Sequence, residues 1–168
     1  MSNEKNLKIK DWAPQDLMKL KKARRVDPRR AKAIIVDIDG TISHRAGENP
    51  RDPYDMTRVE EDIYDPIIGG IAQKYYEDGY EIVVVSARNE CAREGTVKFL
   101  WDAKFLYHAL YMRADGDFRK DSEVKTEIYQ RNIEQRWDVE FVLDDRNQTV
   151  RAWRTLGLKC LQVSEGDF

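Results

Sequence analysis

The sequence predicts a single α/β domain with a parallel sheet of about five strands and helices on both faces. Three observations predict it. Short apolar runs recur along the 168 residues, as strands buried on both faces of a parallel sheet require. Segments with apolar residues at helical spacing separate those runs. The length suits one domain of ~150 residues with a short appendage.

The first run, AIIV within 32–37, is a strand bounded by charge. Residues 41–58 are polar and turn-rich, with Gly47, Pro50 and Pro53, and read as a loop or small hairpin. Asp65-Pro66 is an N-cap with proline at the first helical position. Ile67, Ile71 and Tyr75 follow at helical spacing, and Gly79 stops the helix. Glu81 to Ser86 (EIVVVS) is the second strand. Asn89 is a candidate cap for a helix carrying Ala92, Thr96, Leu100 and Ala103 on one face. Leu106 to Met112 is the third strand. A helix over 121–135 carries Val124, Ile128 and Ile133. Phe141 to Leu143 is the fourth strand. Asn147 is a candidate cap for a helix with Val150 and Trp153 that stops at Gly157. Cys160 to Val163 is the fifth strand. The architecture is Rossmann-like, and in such sheets the ligand site lies beyond the carboxyl ends of the strands.

Composition excludes several classes. Two cysteines, Cys91 and Cys160, cannot make a disulfide framework or a cysteine-based zinc cluster. No run of ~18 apolar residues occurs, so no membrane span is expected. The N-terminus MSNEKNLKIKDW lacks the apolar core of a signal peptide, so a cytoplasmic location is expected. Residues 1–31 carry ten Lys/Arg and four acids, a net of +6, which leaves −8 for the remainder against −2 overall. This basic extension reads either as a solvated helix with a linker or as a contact to a phosphate backbone.

The chemistry-bearing residues cluster at strand ends. Asp37-Ile38-Asp39-Gly40-Thr41 closes the first strand. Carboxylates at i and i+2 of an extended chain point the same way, ~7 Å apart, so one can attack while the other handles a proton. The same pattern also reads as two solvated acids at an Asp-Gly turn. Asp144-Asp145 ends the fourth strand. A lone Asp there is usually a turn former, whereas two adjacent acids suit a metal site. If that strand lies beside the first, four carboxylates converge and repel one another unless a cation is present, and magnesium suits such oxygen ligands. Ser86 can donate to a phosphoryl oxygen or begin a helix turn. Lys125 can neutralise a transferring phosphoryl group or sit on the surface.

Taken together, DIDGT (37–41), Ser86, Lys125 and DD (144–145) resemble the haloacid dehalogenase-like phosphohydrolases. The resemblance implies that Asp37 is a nucleophile forming an aspartyl-phosphate. It implies that Asp39 is the acid/base and lends its backbone carbonyl to magnesium, with Asp144 and Asp145 completing that site. Five stretches resemble the 3′-phosphatase domain of T-even bacteriophage polynucleotide kinase/phosphatases. They are IIVDIDGT (34–41), RDPYD (51–55), YEIVVVSAR (80–88), FRKDSEVKTEIY (118–129) and LDDRNQTVRAWRTLGLKCLQVSEGDF (143–168). The resemblance covers 32–168 and implies that Asp121 and Lys125 match an essential acid and lysine. It implies that Thr41, Arg51, Ser86, Arg88 and Asp121 face the substrate. The loop between DIDGT and RDPYD is a few residues longer here than in that family. No GxxxxGK[ST] phosphate loop occurs anywhere in the chain.

Neither insertion point between the motifs has room for a cap domain, so an open site is expected, one that admits a polynucleotide end. The expectation is a magnesium-dependent polynucleotide 3′-phosphatase acting on RNA or DNA ends without a 5′-kinase module. Activity on 2′,3′-cyclic ends and the RNA or DNA preference stay open. Two rivals remain: a capless phosphatase of small nucleotides or metabolites, and a subunit of a split end-repair enzyme. Nucleic acid ends are the expected partner, with no membrane. A homo-oligomer or a separate kinase or ligase chain stays open, as does the host cytoplasm for a phage-encoded chain.

Overall fold

Residues 29–166 are described here from a computed structural model. The basic extension expected over 1–31 lies outside the described residues as far as residue 28. The apolar runs form strands β1 (Ala31–Val36), β4 (Glu81–Asn89), β5 (Ala109–Arg113), β6 (Trp137–Arg146) and β7 (Cys160–Gly166). They pair in the order β5-β4-β1-β6-β7, all parallel. Two short strands, β2 (Ser43–His44) and β3 (Ile63–Tyr64), pair antiparallel as a separate ribbon. The helices are α1 (Pro66–Glu77), α2 (Arg93–Asp102), α3 (Asp121–Ile128) and α4 (Asn147–Thr155).

Alternate residues of one strand face opposite sides of a sheet. Ala33 and Ile35 of β1 therefore pack with Val83, Val85, Val150 and Trp153 beneath α4 and the turn after α3. Ile34 and Val36 pack with Ile82, Val84, Ala72 and Phe99 beneath α1 and α2. Each such aliphatic side chain contributes about 1.5–3 kcal/mol on full burial. These runs are nearly unbroken because both faces of each strand are covered, which gives the five-stranded, two-faced fold the sequence predicts.

Several local expectations are corrected. Strand β6 begins at Trp137 rather than Phe141, because Val139 and Trp137 are also buried. The helix expected over 121–135 is α-helical only to Ile128 and then widens into a π turn over Tyr129–Ile133. Asn89 makes no capping bond; a 3₁₀ turn over Glu90–Ala92 leads into α2 instead. Asn147 lies inside α4, and its side chain accepts from Gln162 Nε2 at 2.6 Å. Asp65 caps α1 as expected, accepting from the N–H groups of Ile67 and Ile68.

The register sets the site. Val36 pairs with Val84 on one side and Leu143 on the other, so Asp37 and Asp144 emerge at one level of the sheet edge, with Ser86 one residue further along β4. Asp37 N–H continues the ladder by donating to Leu143 O at 3.0 Å.

Candidate active site

Four of the expected residues meet in one buried cluster. Lys125 Nζ lies 2.7 Å from Asp37 Oδ1 and 2.8 Å from Asp144 Oδ2. Trp153 Nε1 donates to the same Asp144 oxygen at 3.0 Å, and Arg146 N–H donates to Asp144 Oδ1 at 3.1 Å. Oxygens of Asp37, Asp144 and Asp145 all lie within 4.8 Å of one another. Burial pushes the Asp37 carboxyl well up, aided by Asp144 and Asp145, and Lys125 only partly offsets it. Burial and the Asp144 charge push Asp145 up as well. Burial alone would lower Lys125, but Asp144 and Asp37 outweigh it and raise its proton affinity.

That charge balance tests the fit of a metal. Three carboxylates and one ammonium leave about −2 in a buried space. A hard divalent ion such as magnesium matches both the charge and the donor type. The Asp39 carboxylate points elsewhere, so a part for Asp39 in such a site falls to its backbone carbonyl.

Gly40 makes the convergence feasible. Its φ is +78°, and a Cβ built on it would sit 2.1 Å from Asp145 Oδ2. The chain turns back through bonds from the N–H groups of Thr41, Ile42 and Ser43 to Ile38 O.

Asp39 belongs to a second, adjoining network. Arg88 Nε donates to Asp39 Oδ2 at 2.8 Å, and Arg51 Nη2 donates to Asp39 Oδ1 at 2.9 Å. Both guanidiniums also bind Asp62: Arg51 at 2.8 Å and Arg88 at 2.6 Å. Ser43 Oγ adds a bond of 2.7 Å to Asp62. Burial pushes Asp39 up, but Arg88 and then Arg51 overcome it and hold its carboxyl below the ordinary value. The Asp62 side chain is 2% exposed and that of Asp39 43%, so Asp62 anchors the arginines and Asp39 meets the cleft.

The cleft has a volume of about 670 Å³. Asp37, Asp39, Arg88, Asp121, Lys125 and Asp145 line it. Thr41, Arg51, Ser86 and Asp144 are not among its lining residues and are buried. Thr41 Oγ1 faces Asp145 Oδ1 at 3.5 Å, and Ser86 Oγ accepts from Arg88 N–H at 3.1 Å. Asp121 holds two guanidiniums that also reach the cleft, those of Arg113 and Arg146.

Sequence reasoning missed Asp62, Ser43, Arg113, Arg146 and Trp153. Asp62 closes an acidic run with Glu60 and Glu61 that reads as solvated surface. Trp153 reads as helix core, which it also is. Arg146 directly follows the paired acids, and that adjacency was the one available signal.

Comparison with known proteins adds the following. Residues 31–168 match the family model described as the polynucleotide kinase PNKP phosphatase domain. A chain in the solved structure of a Pnkp1/Rnl/Hen1 RNA repair complex superposes with a TM-score of 0.82 at 38% identity, covering 86% of this chain and 46% of that one. A second structure of a Pnkp1/Rnl/Hen1 complex gives 0.82 at 37% identity, covering 87% and 50%. A protein of Autographa californica nuclear polyhedrosis virus, described as a putative bifunctional polynucleotide kinase/RNA ligase, is 26% identical over 130 residues. Those residues are 74% of this chain and 18% of the viral protein. A class C acid phosphatase from Bacillus anthracis shares the fold, with a TM-score of 0.59 at 16% identity over 90% of this chain and 73% of that one. The chain thus spans half or less of the repair-complex chains and the viral protein.

Proposed function

Because the chain belongs to the family of polynucleotide kinase PNKP phosphatase domains, we propose that it is a polynucleotide 3′-phosphatase working through an aspartyl-phosphate. The observation that carries the reading is Asp37, held by Lys125 on the floor of an open cleft beside Asp39.

Asp37 Oδ attacks phosphorus in line with the 3′ oxygen. The bond from phosphorus to that oxygen breaks, and Asp39 supplies its proton. Water then attacks the phosphorus of the aspartyl-phosphate, Asp39 takes the water's proton, and phosphate leaves with Asp37 restored. At rest the two arginines favour ionised Asp39, the form that accepts a proton from water. Asp39 takes up a proton from solvent for the first step as the phosphate dianion enters the cleft and draws on Arg88. Lys125 and Arg88 balance the phosphoryl charge, and Arg88 offers a planar fork that lysine does not. Asp37, Asp144, Asp145 and the Asp39 carbonyl would hold magnesium, which supplies positive charge to the phosphoryl oxygens when bound.

The partners proposed are a nucleic acid end and, by likeness to the chains of the Pnkp1/Rnl/Hen1 RNA repair complexes, other proteins of end repair. Among the described residues no helix is long and apolar enough to cross a membrane. The test is phosphate release from strands bearing 3′-phosphate, 5′-phosphate or 2′,3′-cyclic ends, with and without magnesium. Release from the 3′-phosphate strand with magnesium is expected. Release from mononucleotides alone would refute the reading and favour a small-nucleotide phosphatase.

A further inference from the structure

The cleft mouth carries two aromatic side chains that no core absorbs. Tyr54 is 87% exposed and Phe118 is 93% exposed, and both line the cleft that holds Asp37. Single exposed aromatics are ordinary on a protein surface. These two differ in how their loops are held.

Each loop is gathered by one buried arginine that also binds a site acid. Arg51 Nη1 donates to the carbonyls of Asp52, Pro53 and Asp55, at 3.4, 3.3 and 3.3 Å, on both sides of Tyr54. Its other nitrogens hold Asp39 and Asp62. Arg113 Nη1 donates to the carbonyls of Asp117 and Arg119, at 3.0 and 2.7 Å, the two neighbours of Phe118. Its Nε donates to Ala87 O at 2.8 Å, and its Nη2 to Asp121. The side chains are exposed while their backbones are fixed to the walls of the site. A rigidly presented aromatic face loses little freedom when a flat ligand covers it.

The surrounding charge selects the ligand. The domain body from residue 32 onward carries a net −8. The cleft walls reverse that balance, with six basic side chains against five acids, Arg45 and Arg119 among the bases. A flat, anion-bearing ligand that places a phosphate at Asp37 and a planar ring at the mouth is a nucleotide with its base unpaired.

We infer that Tyr54 and Phe118 form a stacking platform for the last bases of a single-stranded 3′ end. The inference rests on the 3′-phosphatase reading and narrows its substrate to frayed or single-stranded termini. Stacking is indifferent to base identity, so the platform confers strandedness without sequence preference.

The test is a cycle that removes the ring from either side. The substrates are a 3′-phosphorylated single strand and the same strand with its two terminal nucleotides abasic. The proteins are the full chain and its Tyr54→Ala/Phe118→Ala variant, whose mutated side chains are too exposed to disturb the core; a thermal melt checks the fold. Base removal is expected to lower kcat/KM about tenfold or more for the wild type, and by less than about twofold for the variant. A Tyr54→Phe/Phe118→Tyr protein should regain the wild-type dependence. In a catalytically silent Asp37→Asn background, 2-aminopurine at the terminal position should change fluorescence on binding, and lose that change with the alanine pair. A base dependence equal in both proteins overturns the platform and leaves the aromatics as a protein-facing patch. A wild type that releases no phosphate from any 3′-phosphorylated strand overturns the 3′-phosphatase reading and the platform with it. Release that is indifferent to the bases overturns the platform alone.

Discussion

A carboxylate 2% exposed between two guanidiniums has no water to replace a missing partner. Removing one member of a buried ion pair costs about 3–5 kcal/mol, because the charge left behind stays unsolvated. Asp62→Ala is therefore expected to lower unfolding free energy by about that amount, measured by urea titration. It should also lower kcat about tenfold or more, since Arg51 and Arg88 lose the anchor that aims them at Asp39. A destabilised Asp62→Ala protein with unaltered kcat would show that the arginines are aimed by Asp39 alone. At Asp37 the expectation is starker. An amide cannot form the aspartyl-phosphate, so Asp37→Asn should fall below about one part in a thousand of wild-type turnover. Phosphate release in a coupled colorimetric assay checks it, and near-wild-type release would remove Asp37 from the chemistry.

At the scale of the element, α1 shows how a cap couples to pH. Burial pushes the Asp65 carboxyl up, but the Ile68 N–H, His44 and the Ile67 N–H outweigh it and leave it below its ordinary 3.8. A carboxyl lowered by folding adds stability that is full above the unfolded value and is lost as pH falls through the folded one. Asp65→Ala should thus cost about 1 kcal/mol at neutral pH, and the gap between the two proteins should close below about pH 4. Parallel denaturant titrations at pH 7 and pH 3 read this, and a constant gap would assign the loss to packing. The same cap was legible in sequence because Asp-Pro before a helical repeat has one physical reading. The sheet was legible because burial on both faces leaves no polar residue to interrupt AIIV or IVVV. Legibility failed where a polar residue is buried by a partner from elsewhere in the chain. Trp137-Asp138-Val139 stays unassigned until β1 is laid beside it. Glu60-Glu61-Asp62 reads as solvated until two arginines reach its last member. Arg51 reads as a residue facing the substrate until the same acid is seen to claim it.

For the whole molecule, charge is the governing quantity. The cluster of Asp37, Asp144 and Asp145 keeps about −2 after Lys125 is counted, so a divalent ion should stabilise the folded state. Magnesium at a hundredfold excess over its Kd would add about 2.7 kcal/mol, raising Tm after EDTA treatment, and Asp145→Asn should blunt the rise. An unmoved Tm would mean that Lys125 alone balances the acids. The segment 1–28 is strongly basic while the domain body is acidic. Its deletion should weaken binding to long single strands and flatten the salt dependence by ~0.7 in log–log slope for each phosphate that the segment neutralises. Titrations across a salt series measure that slope, and identical slopes would make the segment a solvated extension. Gly40 bears on the whole chain in another way. Residue 40 and Asp145 stand near opposite ends of the domain's sequence, yet the space a methyl group would fill at one is taken by an oxygen of the other. A saturation screen for function would score position 40 as intolerant as the acids themselves, and a reader of that screen would count a reactive group there. What the fold needs at position 40 is a space one hydrogen wide, kept clear for an atom that arrives from about a hundred residues away.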